Sequence, residues 1–405
     1  MRHDIHPRDL GAMASLIEDY AVIGNGETMA LVGRDGSIDW LCLPRFDSAA
    51  CFSALLGNPQ HGRWLVAPAT GACGATRSYR GDTMILETTF EIKTGAVRVI
   101  DFMARREGIS DLVRIVRGLR GKVAMRTELI VRFEYGSVLP WVSRRDDGRR
   151  EIIAGPDRLL LSADVSLRGE DFRTVGKFEV AAGDEIELML SWSPSYYPVP
   201  EPRRPGDALA QAESFWTKWS SHIKPEREWP KAATRSLLVL KALSHRETGA
   251  IVAAATASLP EKIGGGRNWD YRCGWLRDAT FTLYALLGAG FAEEARAWRG
   301  WLLRAIAGSP ADLQIMYGVA GERRLEEREL SWLPGYEKSA PVRVGNAAAR
   351  QMQLDERRSH RCPVRGAQSR APTQRSDLGV GVCAGQASRD DLAAAGPWVL
   401  GNSRR

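Results

Sequence analysis

The hydrophobic period of this sequence changes once, at the proline-rich segment 197–205, and this change constrains the fold more than any other feature. Before it, from residue 20 to about residue 194, short runs of Val, Ile, Leu and Phe alternate with polar residues, which predicts β-strands. After it, apolar residues recur every three or four positions, which predicts amphipathic helices. We therefore predict β structure over 1–200, a linker and helix over 201–225, and a helical domain over 226–355.

Turn residues divide the first part of the chain into many short strands. Asn25-Gly26 and Asp35-Gly36 predict tight hairpin turns, because Asn, Asp and Gly adopt positive φ most easily. No helical pattern long enough for a crossover lies between the strand-like runs, so their spacing favours a β-sandwich over βαβ units. The further runs predicted as strands are 84–92, 96–102, 112–119, 125–133, 158–163 and 185–191.

Apolar stripes after the linker predict helices, and glycine and asparagine mark their ends. Gly288 and Gly290 suit the C-terminal cap of one helix, and Asn346 is predicted to be the N-cap of a helix that starts at Ala347 and runs through 354. The other predicted helices cover 207–222, 229–245, 278–287 and 292–306.

The composition changes abruptly at residue 356. Residues 356–405 contain nine arginines and four acidic residues, a net charge of +5, which leaves only +2 of the chain's +7 for residues 1–355. The tail lacks Ile, Phe, Tyr, Met and Lys and shows no period, which predicts disorder. A nucleic-acid-binding function would depend on this tail alone, and Trp398 is its one aromatic residue, so base stacking is poorly supported and we expect no nucleic-acid partner.

The sequence also argues against membrane, metal and disulfide chemistry. The N-terminal MRHDIHPRDL lacks a basic start followed by an apolar run, and no segment approaches the ~20 apolar residues of a membrane span. We therefore expect a soluble, cytoplasmic protein without a membrane partner. The six cysteines form no C-x-x-C pair, which indicates buried free thiols rather than a zinc site or disulfides, and we expect no metal or other cofactor.

Two segments concentrate chemically versatile side chains. Residues 268–278, NWDYRCGWLRD, place aromatic rings, guanidinium groups and carboxylates directly before a helix, and a glycine-rich loop, 261–267, precedes them. Such groups suit a polyhydroxylated ligand, because charged forks bind vicinal hydroxyls while a ring covers the apolar sugar face. A salt-bridged loop packed on the helix is the alternative. The second segment, 332–346, is a turn-rich loop that enters a helix.

At these segments the chain resembles the two-domain prokaryotic members of glycoside hydrolase family 15. The resemblance is carried by 23–56, 268–287 and 334–355 in the expected order, and it covers about residues 15–355. It implies an N-terminal β-sandwich followed by an (α/α)6 barrel that hydrolyses α-glucosidic bonds with inversion. The implied partner is an oligosaccharide or disaccharide with α-linked glucose, such as a starch-type or isomalto-linked sugar or trehalose.

The resemblance also implies roles for individual residues. The groups implied to hold the non-reducing glucose are Tyr271, Trp275, Arg277 and Asp278, and those implied to form the pocket wall are Tyr336, Glu337 and Arg343. The chain departs from the family at Cys273, where relatives usually have an aromatic residue. Together with Gly274, this residue is expected to loosen one wall of the pocket.

A larger departure concerns catalysis. Inverting hydrolysis needs a carboxylic acid and a carboxylate about 6.5–9.5 Å apart, and both family glutamates lie beyond the point where the resemblance stops. Twelve helices with their loops need roughly 220 residues, whereas 226–355 supply 130, so we expect an incomplete barrel in a truncated chain. A frameshift after Asp355 would explain the tail.

We therefore assign no catalytic residues. The separation of Asp270 and Asp278 is undefined by the sequence, and neither is assigned as acid or base. The expected protein is an inactive family 15 glycosidase, and a non-catalytic carbohydrate-binding remnant is the alternative.

Overall fold

Antiparallel strands form the chain from residue 20 to residue 194, here called the β region. The computed structural model describes residues 14–70, 74–224, 228–308 and 313–351. The strands of the β region are β1 (Tyr20–Gly24), β2 (Met29–Gly33), β3 (Ser37–Cys42), β4 (Ala50–Phe52), β5 (Arg63–Pro68), β6 (Gly74–Tyr79), β7 (Leu86–Ile92), β8 (Gly95–Arg106), β9 (Ile109–Ile130), β10 (Trp141–Arg144), β11 (Arg150–Ala154), β12 (Asp157–Ala163), β13 (Arg168–Glu170), β14 (Arg173–Ala181) and β15 (Glu185–Pro194).

The 22-residue strand β9 connects two groups of strands, here called the two sheets of the β region, into one 15-stranded network. The first half of β9 pairs with β8 on one side and with β15 on the other, and β15 begins the row β15-β12-β11-β10. The second half of β9 pairs with β5 and β14. The predicted break between 112–119 and 125–133 is wrong, because the intervening residues also pair with β8 and β14. The main apolar core draws on both sheets and includes Ile38, Trp64, Val99, Met125, Leu159 and Leu190.

Both predicted glycine turns are confirmed. Gly26 and Gly36 have φ of +81° and +88°, and they join β1 to β2 and β2 to β3. A Cβ on Gly36 would lie 2.3 Å from the carbonyl oxygen of Val66, so only glycine fits this approach of two main chains.

A fully buried ion pair ties this turn to the core. Arg114 on β9 donates to Asp101 on β8 at 2.8 Å, to the carbonyl oxygen of Trp64 at 2.7 Å and to that of Gly36 at 2.8 Å. Because the partners of a buried charge must surround it at fixed positions, the pair fixes the register between these strands.

The helical sequence begins where the proline-rich segment ends. Each of the four predicted helices up to residue 306 is confirmed, with ends within a few residues of those predicted: α2 (Pro205–Ser220), α3 (Pro230–Ala242), α4 (Leu276–Gly288) and α5 (Ala292–Ala305). Shorter elements are the single turn α1 (Phe133–Gly136) and the strands β16 (Ala257–Pro260), β17 (Asn268–Asp270), β18 (Gly274–Trp275), β19 (Met316–Tyr317), β20 (Arg328–Glu329) and β21 (Arg343–Val344).

The helices pack directly on the β region. Trp216, Leu238 and Trp301 share an apolar cluster with Met29 and Phe46. The (α/α)6 arrangement stays a prediction, as do the domain boundaries. No helix within the described ranges is long and apolar enough to cross a membrane.

The last predicted helix begins as expected but has a tighter form. The Asn346 side chain accepts a hydrogen bond from the backbone N–H of Ala348, so the predicted cap is confirmed, and a 3₁₀-helix, Ala347–Arg350, follows it. The continuation through 354 and the tail 356–405 lie outside the described residues.

His245 is buried where the segment after α3 meets the β region. Its Nδ1 atom accepts a hydrogen bond from the backbone N–H of Thr248 at 3.2 Å, and its ring lies edge-on to Phe46. Burial, together with the nearby charge of Arg45, lowers the pKa of His245 to about 4. The folded protein therefore contains neutral His245 at pH values where an unfolded chain binds the proton.

We predict that His245→Asn removes part of the acid sensitivity of the fold. The folded-state pKa of about 4 lies below the unfolded value of about 6.5. Neutral His245 therefore makes its full contribution to the free energy of unfolding above pH 6.5. This contribution should fall by about 1.4 kcal/mol per pH unit as the pH drops toward 4. Urea unfolding of both proteins between pH 7.5 and pH 4.5 measures this, and a wild-type minus variant difference that is constant with pH would contradict it.

Candidate functional site

Residues 268–272 alternate between buried and half-buried positions. Asp270 and Arg272 are buried, whereas Tyr271 between them is half-buried. β17 ends at Asp270, β18 covers Gly274–Trp275, and α4 begins at Leu276. Because adjacent side chains in extended backbone point to opposite sides, the segment presents Tyr271 away from its two charged neighbours.

Asp270 and Arg272 form a closed ion pair. Their side chains are each 3% exposed, and the nearest contact, from Arg272 Nη2 to Asp270 Oδ2, is 2.6 Å. Asp270 Oδ1 also accepts from Nε and from the backbone N–H of Arg272, and Oδ2 accepts from the backbone N–H of Gly345 at 3.0 Å. Both carboxylate oxygens of Asp270 are thus occupied within the protein.

The same guanidinium reaches into the β region. Arg272 donates to the carbonyl oxygen of Ser48 at 2.7 Å, to the hydroxyl oxygen of Tyr135 at 2.7 Å and to Cys42 Sγ at 3.3 Å. Burial alone would lower the pKa of Arg272, but the charge of Asp270 and the other partners raise it well above its usual range. Arg272 is therefore a permanent cation that joins the two parts of the chain.

A second group of side chains in the same segment has unused hydrogen-bonding atoms. The rings of Tyr271 and Trp275 lie 6.0 Å apart, and the Arg277 guanidinium lies 6.0 Å from the Trp275 ring. Arg277 also approaches Asp278 at 3.6 Å. Trp275 Nε1 and Asp278 Oδ2 are buried atoms without a hydrogen bond among the described residues, and Oδ2 is the atom in the 3.6 Å ion contact with Arg277. Buried atoms without a hydrogen bond in a native site call for a ligand or water.

Hydrogen bonds bring the two predicted segments together. The Asn268 side-chain amide donates to the carbonyl oxygens of Ser339 at 2.9 Å and Pro341 at 3.1 Å. The Asn346 amide donates to the carbonyl oxygen of Asp270 at 3.1 Å. The second segment, 332–346, therefore holds the buried side of the first segment, 268–278, by hydrogen bonds.

Arg343 lies beside this junction. Its guanidinium stacks 4.9 Å from the Trp269 ring centre, contacts Glu329 at 3.1 Å and donates to the carbonyl oxygen of Gly266 at 2.8 Å. Its backbone N–H donates to the hydroxyl of Ser258, which also contacts the Arg343 carbonyl oxygen. Arg343 thus anchors the glycine-rich loop 261–267 to the second segment.

Tyr336 and Glu337 are placed differently from the first group. Tyr336 is buried in an apolar cluster with Trp40 and Leu333, separate from the cluster that contains Tyr271 and Trp275. Its hydroxyl donates to the carbonyl oxygen of Ser15 at 3.3 Å. Glu337 is partly exposed and has φ of +46°. Their role as a pocket wall stays a prediction.

Other side chains of the protein pack against Cys273 and Gly274, where the family usually has an aromatic residue. Cys273 is buried, and a Cβ on Gly274 would lie 2.9 Å from the Trp301 ring, so glycine permits this close packing. Cys42, Cys51 and Cys273 are buried and free, as predicted. Within the described ranges, no three His, Cys, Asp or Glu side chains are grouped as metal ligands.

Sequence reasoning missed the partners that the β region supplies. Ser48 and Tyr135 lie more than a hundred residues from Arg272, and nothing local to them indicates the contact. The alternation of Asp270, Tyr271 and Arg272 did contain a usable pattern, because period two separates buried from exposed side chains in extended backbone. That pattern places Asp270 and Arg272 on one side of the strand and Tyr271 on the other.

We predict that the two aspartates of this segment contribute very differently to the free energy of unfolding. Asp270→Ala leaves the Arg272 charge buried without a counterion and should lower the free energy of unfolding by about 3–5 kcal/mol. Asp278→Ala removes a side chain without a hydrogen-bond partner at Oδ2 and should change it by less than about 0.5 kcal/mol. Urea unfolding at pH 7 measures both, and equal losses would contradict this division of roles.

Comparisons with known proteins identify relatives for both parts of the chain. The model for glycosyl hydrolases family 15 matches residues 230–358, and the model for the trehalase-like N-terminal domain matches residues 9–170. A bacterial glucoamylase solved in complex with acarbose has a TM-score of 0.52 and 14% identity, over 79% of this chain and 54% of that chain. This likeness concerns the fold.

Curated relatives are more similar in sequence. A trehalase of Mycolicibacterium smegmatis is 34% identical over 372 residues, which cover 84% of this chain and 55% of the relative. Trehalase 1 of Sulfolobus acidocaldarius is 34% identical over 336 residues, which cover 82% and 57%. The chain thus spans about half the length of these relatives. It belongs to glycosyl hydrolase family 15 and carries the family's trehalase-like N-terminal domain.

Proposed function

We propose that this chain binds the terminal glucose unit of an α-glucoside at Tyr271, Trp275, Arg277 and Asp278, and that it does so without hydrolysing the sugar. The ligand class is an oligosaccharide or disaccharide with α-linked glucose. The observation that carries the proposal is a pair of buried atoms in one aromatic and charged group, Trp275 Nε1 and Asp278 Oδ2, that have no hydrogen bond among the described residues, although Oδ2 lies 3.6 Å from the Arg277 guanidinium. An indole N–H donor and a carboxylate acceptor complement sugar hydroxyls.

The neighbouring side chains complete such a site. The half-buried Tyr271 ring, 6.0 Å from Trp275, offers an apolar surface to a sugar face. Burial raises the pKa of Tyr271, so its hydroxyl stays protonated and able to donate at neutral pH. Arg277 adds donors beside Asp278, and a charged group strengthens each hydrogen bond it forms to a hydroxyl.

The relatives support α-linked glucose as the shared element of the ligand. Two of them are named trehalases, and the solved structure is a glucoamylase. Trehalose is therefore the first probe, and maltose and isomaltose test other linkages. The pocket wall of Tyr336, Glu337 and Arg343 and an incomplete (α/α)6 barrel around the site are part of the same proposal.

The absence of hydrolysis follows from the roles of the carboxylates at the site. Inverting hydrolysis needs a protonated carboxyl group and a carboxylate that activates water. Asp270 has both oxygens engaged by Arg272 and Gly345, so it is not free to act on a sugar or on water. The other carboxylates of the proposed site, Asp278 and Glu337, are assigned to sugar binding and to the pocket wall, and neither is assigned as acid or base.

The test combines binding and turnover on the purified chain. Calorimetric titration with trehalose, maltose and isomaltose measures affinity, and glucose release from these sugars and soluble starch measures turnover. We expect binding without glucose release. Asp278→Ala should weaken binding about 10- to 100-fold, because it removes a hydrogen bond to a charged group.

The matched control is Glu293→Ala, which removes an exposed carboxylate from the first turn of α5 and should leave the affinity unchanged. A folded chain that binds none of these sugars would refute the proposed site. Glucose release that the double variant Arg277→Ala, Asp278→Ala abolishes would refute the absence of hydrolysis.

A further inference from the structure

We infer that Tyr135, a residue of the β region, is a positioning residue that fixes Tyr271 through the buried guanidinium of Arg272. The inference rests on the proposed function, because Tyr271 acts as a sugar-binding group only if the site binds sugar. It assigns to the β region a part in the site that lies beyond covering the helices.

The main chain around Tyr271 is held from both sides. Arg272 returns to Asp270 with its backbone N–H at 3.0 Å and with its guanidinium, which closes a small loop with Tyr271 at its tip. The carbonyl oxygen of Tyr271 accepts from the backbone N–H of Ala254 at 3.0 Å. These bonds fix the main chain from which the Tyr271 ring projects, and the Arg272 guanidinium takes part in them.

Among the residues that the structure describes, Tyr135 is the partner outside this segment whose hydroxyl contacts the guanidinium. Its oxygen lies 2.7 Å from Arg272 Nη2, while the other strong contact from the β region is the carbonyl oxygen of Ser48. Tyr135 is 5% exposed. Removing its hydroxyl would leave one N–H of a buried guanidinium unpaired, and a side chain with an unpaired donor is driven to a new position.

The backbone that presents Tyr135 is strained. Glu134 and Tyr135, in the single turn α1, have φ of +49° and +58°, a left-handed conformation that is costly for residues other than glycine. Contacts at the Tyr135 main chain retain it, since the Trp332 indole donates to the Tyr135 carbonyl oxygen at 2.9 Å. Strain retained at a residue whose hydroxyl reaches the site is typical of a positioning role.

Tyr79 provides a matched control within the same β region. Its hydroxyl donates to the carbonyl oxygen of Val22 at 2.8 Å, and its ring stacks on Arg235 of α3 at 3.8 Å. Tyr79 therefore also joins the β region to a helix, through its ring and Arg235, while its half-buried hydroxyl bonds within the β region, and neither contact involves residues 268–278.

The experiment compares Tyr135→Phe and Tyr79→Phe in the full chain. The three measurements are trehalose affinity by calorimetry, hydrogen exchange of the backbone amides of 270–276, and the thermal unfolding midpoint. We expect both variants to lower the midpoint. We expect only Tyr135→Phe to weaken trehalose binding, by about tenfold, and to accelerate exchange at 270–276.

Each result decides the inference. Unchanged affinity and exchange in Tyr135→Phe, with a midpoint loss like that of Tyr79→Phe, would show a structural role alone and overturn it. If the folded wild-type chain binds no sugar, the proposed function fails, and unchanged exchange at 270–276 in Tyr135→Phe would then overturn the positioning of Tyr271 separately. Should Tyr135→Phe not fold, Trp332→Phe serves instead, because it removes the indole N–H that donates to the Tyr135 carbonyl oxygen at a side chain that is 45% exposed, and the same two changes are expected.

Discussion

The buried ion pair between Asp270 and Arg272 is the interaction on which the rest of the site depends. Removing two charges from water is unfavourable unless hydrogen bonds surround them, and here those bonds come from three separate parts of the chain. Gly345 supplies a donor to the carboxylate, while Ser48 and Tyr135 supply acceptors to the guanidinium. The β region, residues 268–278 and the second segment are therefore held at one point.

This arrangement divides a short sequence into two kinds of residue. Asp270 and Arg272 have their polar atoms occupied, and they serve the fold. Trp275 and Asp278 each have a buried atom without a hydrogen bond in the described part of the chain, and they belong to the same segment as the half-buried ring of Tyr271. A sugar with several hydroxyls could satisfy both atoms without disturbing the ion pair, because the two sets of groups share no hydrogen bond.

Much of the fold could be predicted from the sequence, and the reasons are local. The turns at Gly26 and Gly36 require positive φ. The helices carry apolar residues along one face, and this pattern can be read from the sequence alone. The continuity of β9 could not be predicted, because Gly118 and Gly121 interrupt its pattern and only pairing with neighbouring strands keeps it extended. Segments 268–278 and 332–346 predicted the position of the candidate site. The partners of Arg272 are remote in sequence, and local patterns carry no information about them.

The measurement that tests this account most directly is a crystal structure of the chain with trehalose or maltose bound. The account predicts a glucose unit with hydroxyl oxygens within about 2.7–3.2 Å of Trp275 Nε1 and Asp278 Oδ2, and an Asp270–Arg272 pair unchanged by the sugar. A sugar that binds to Asp270 or Arg272, or one that binds elsewhere and leaves Trp275 Nε1 and Asp278 Oδ2 unpaired, would contradict it.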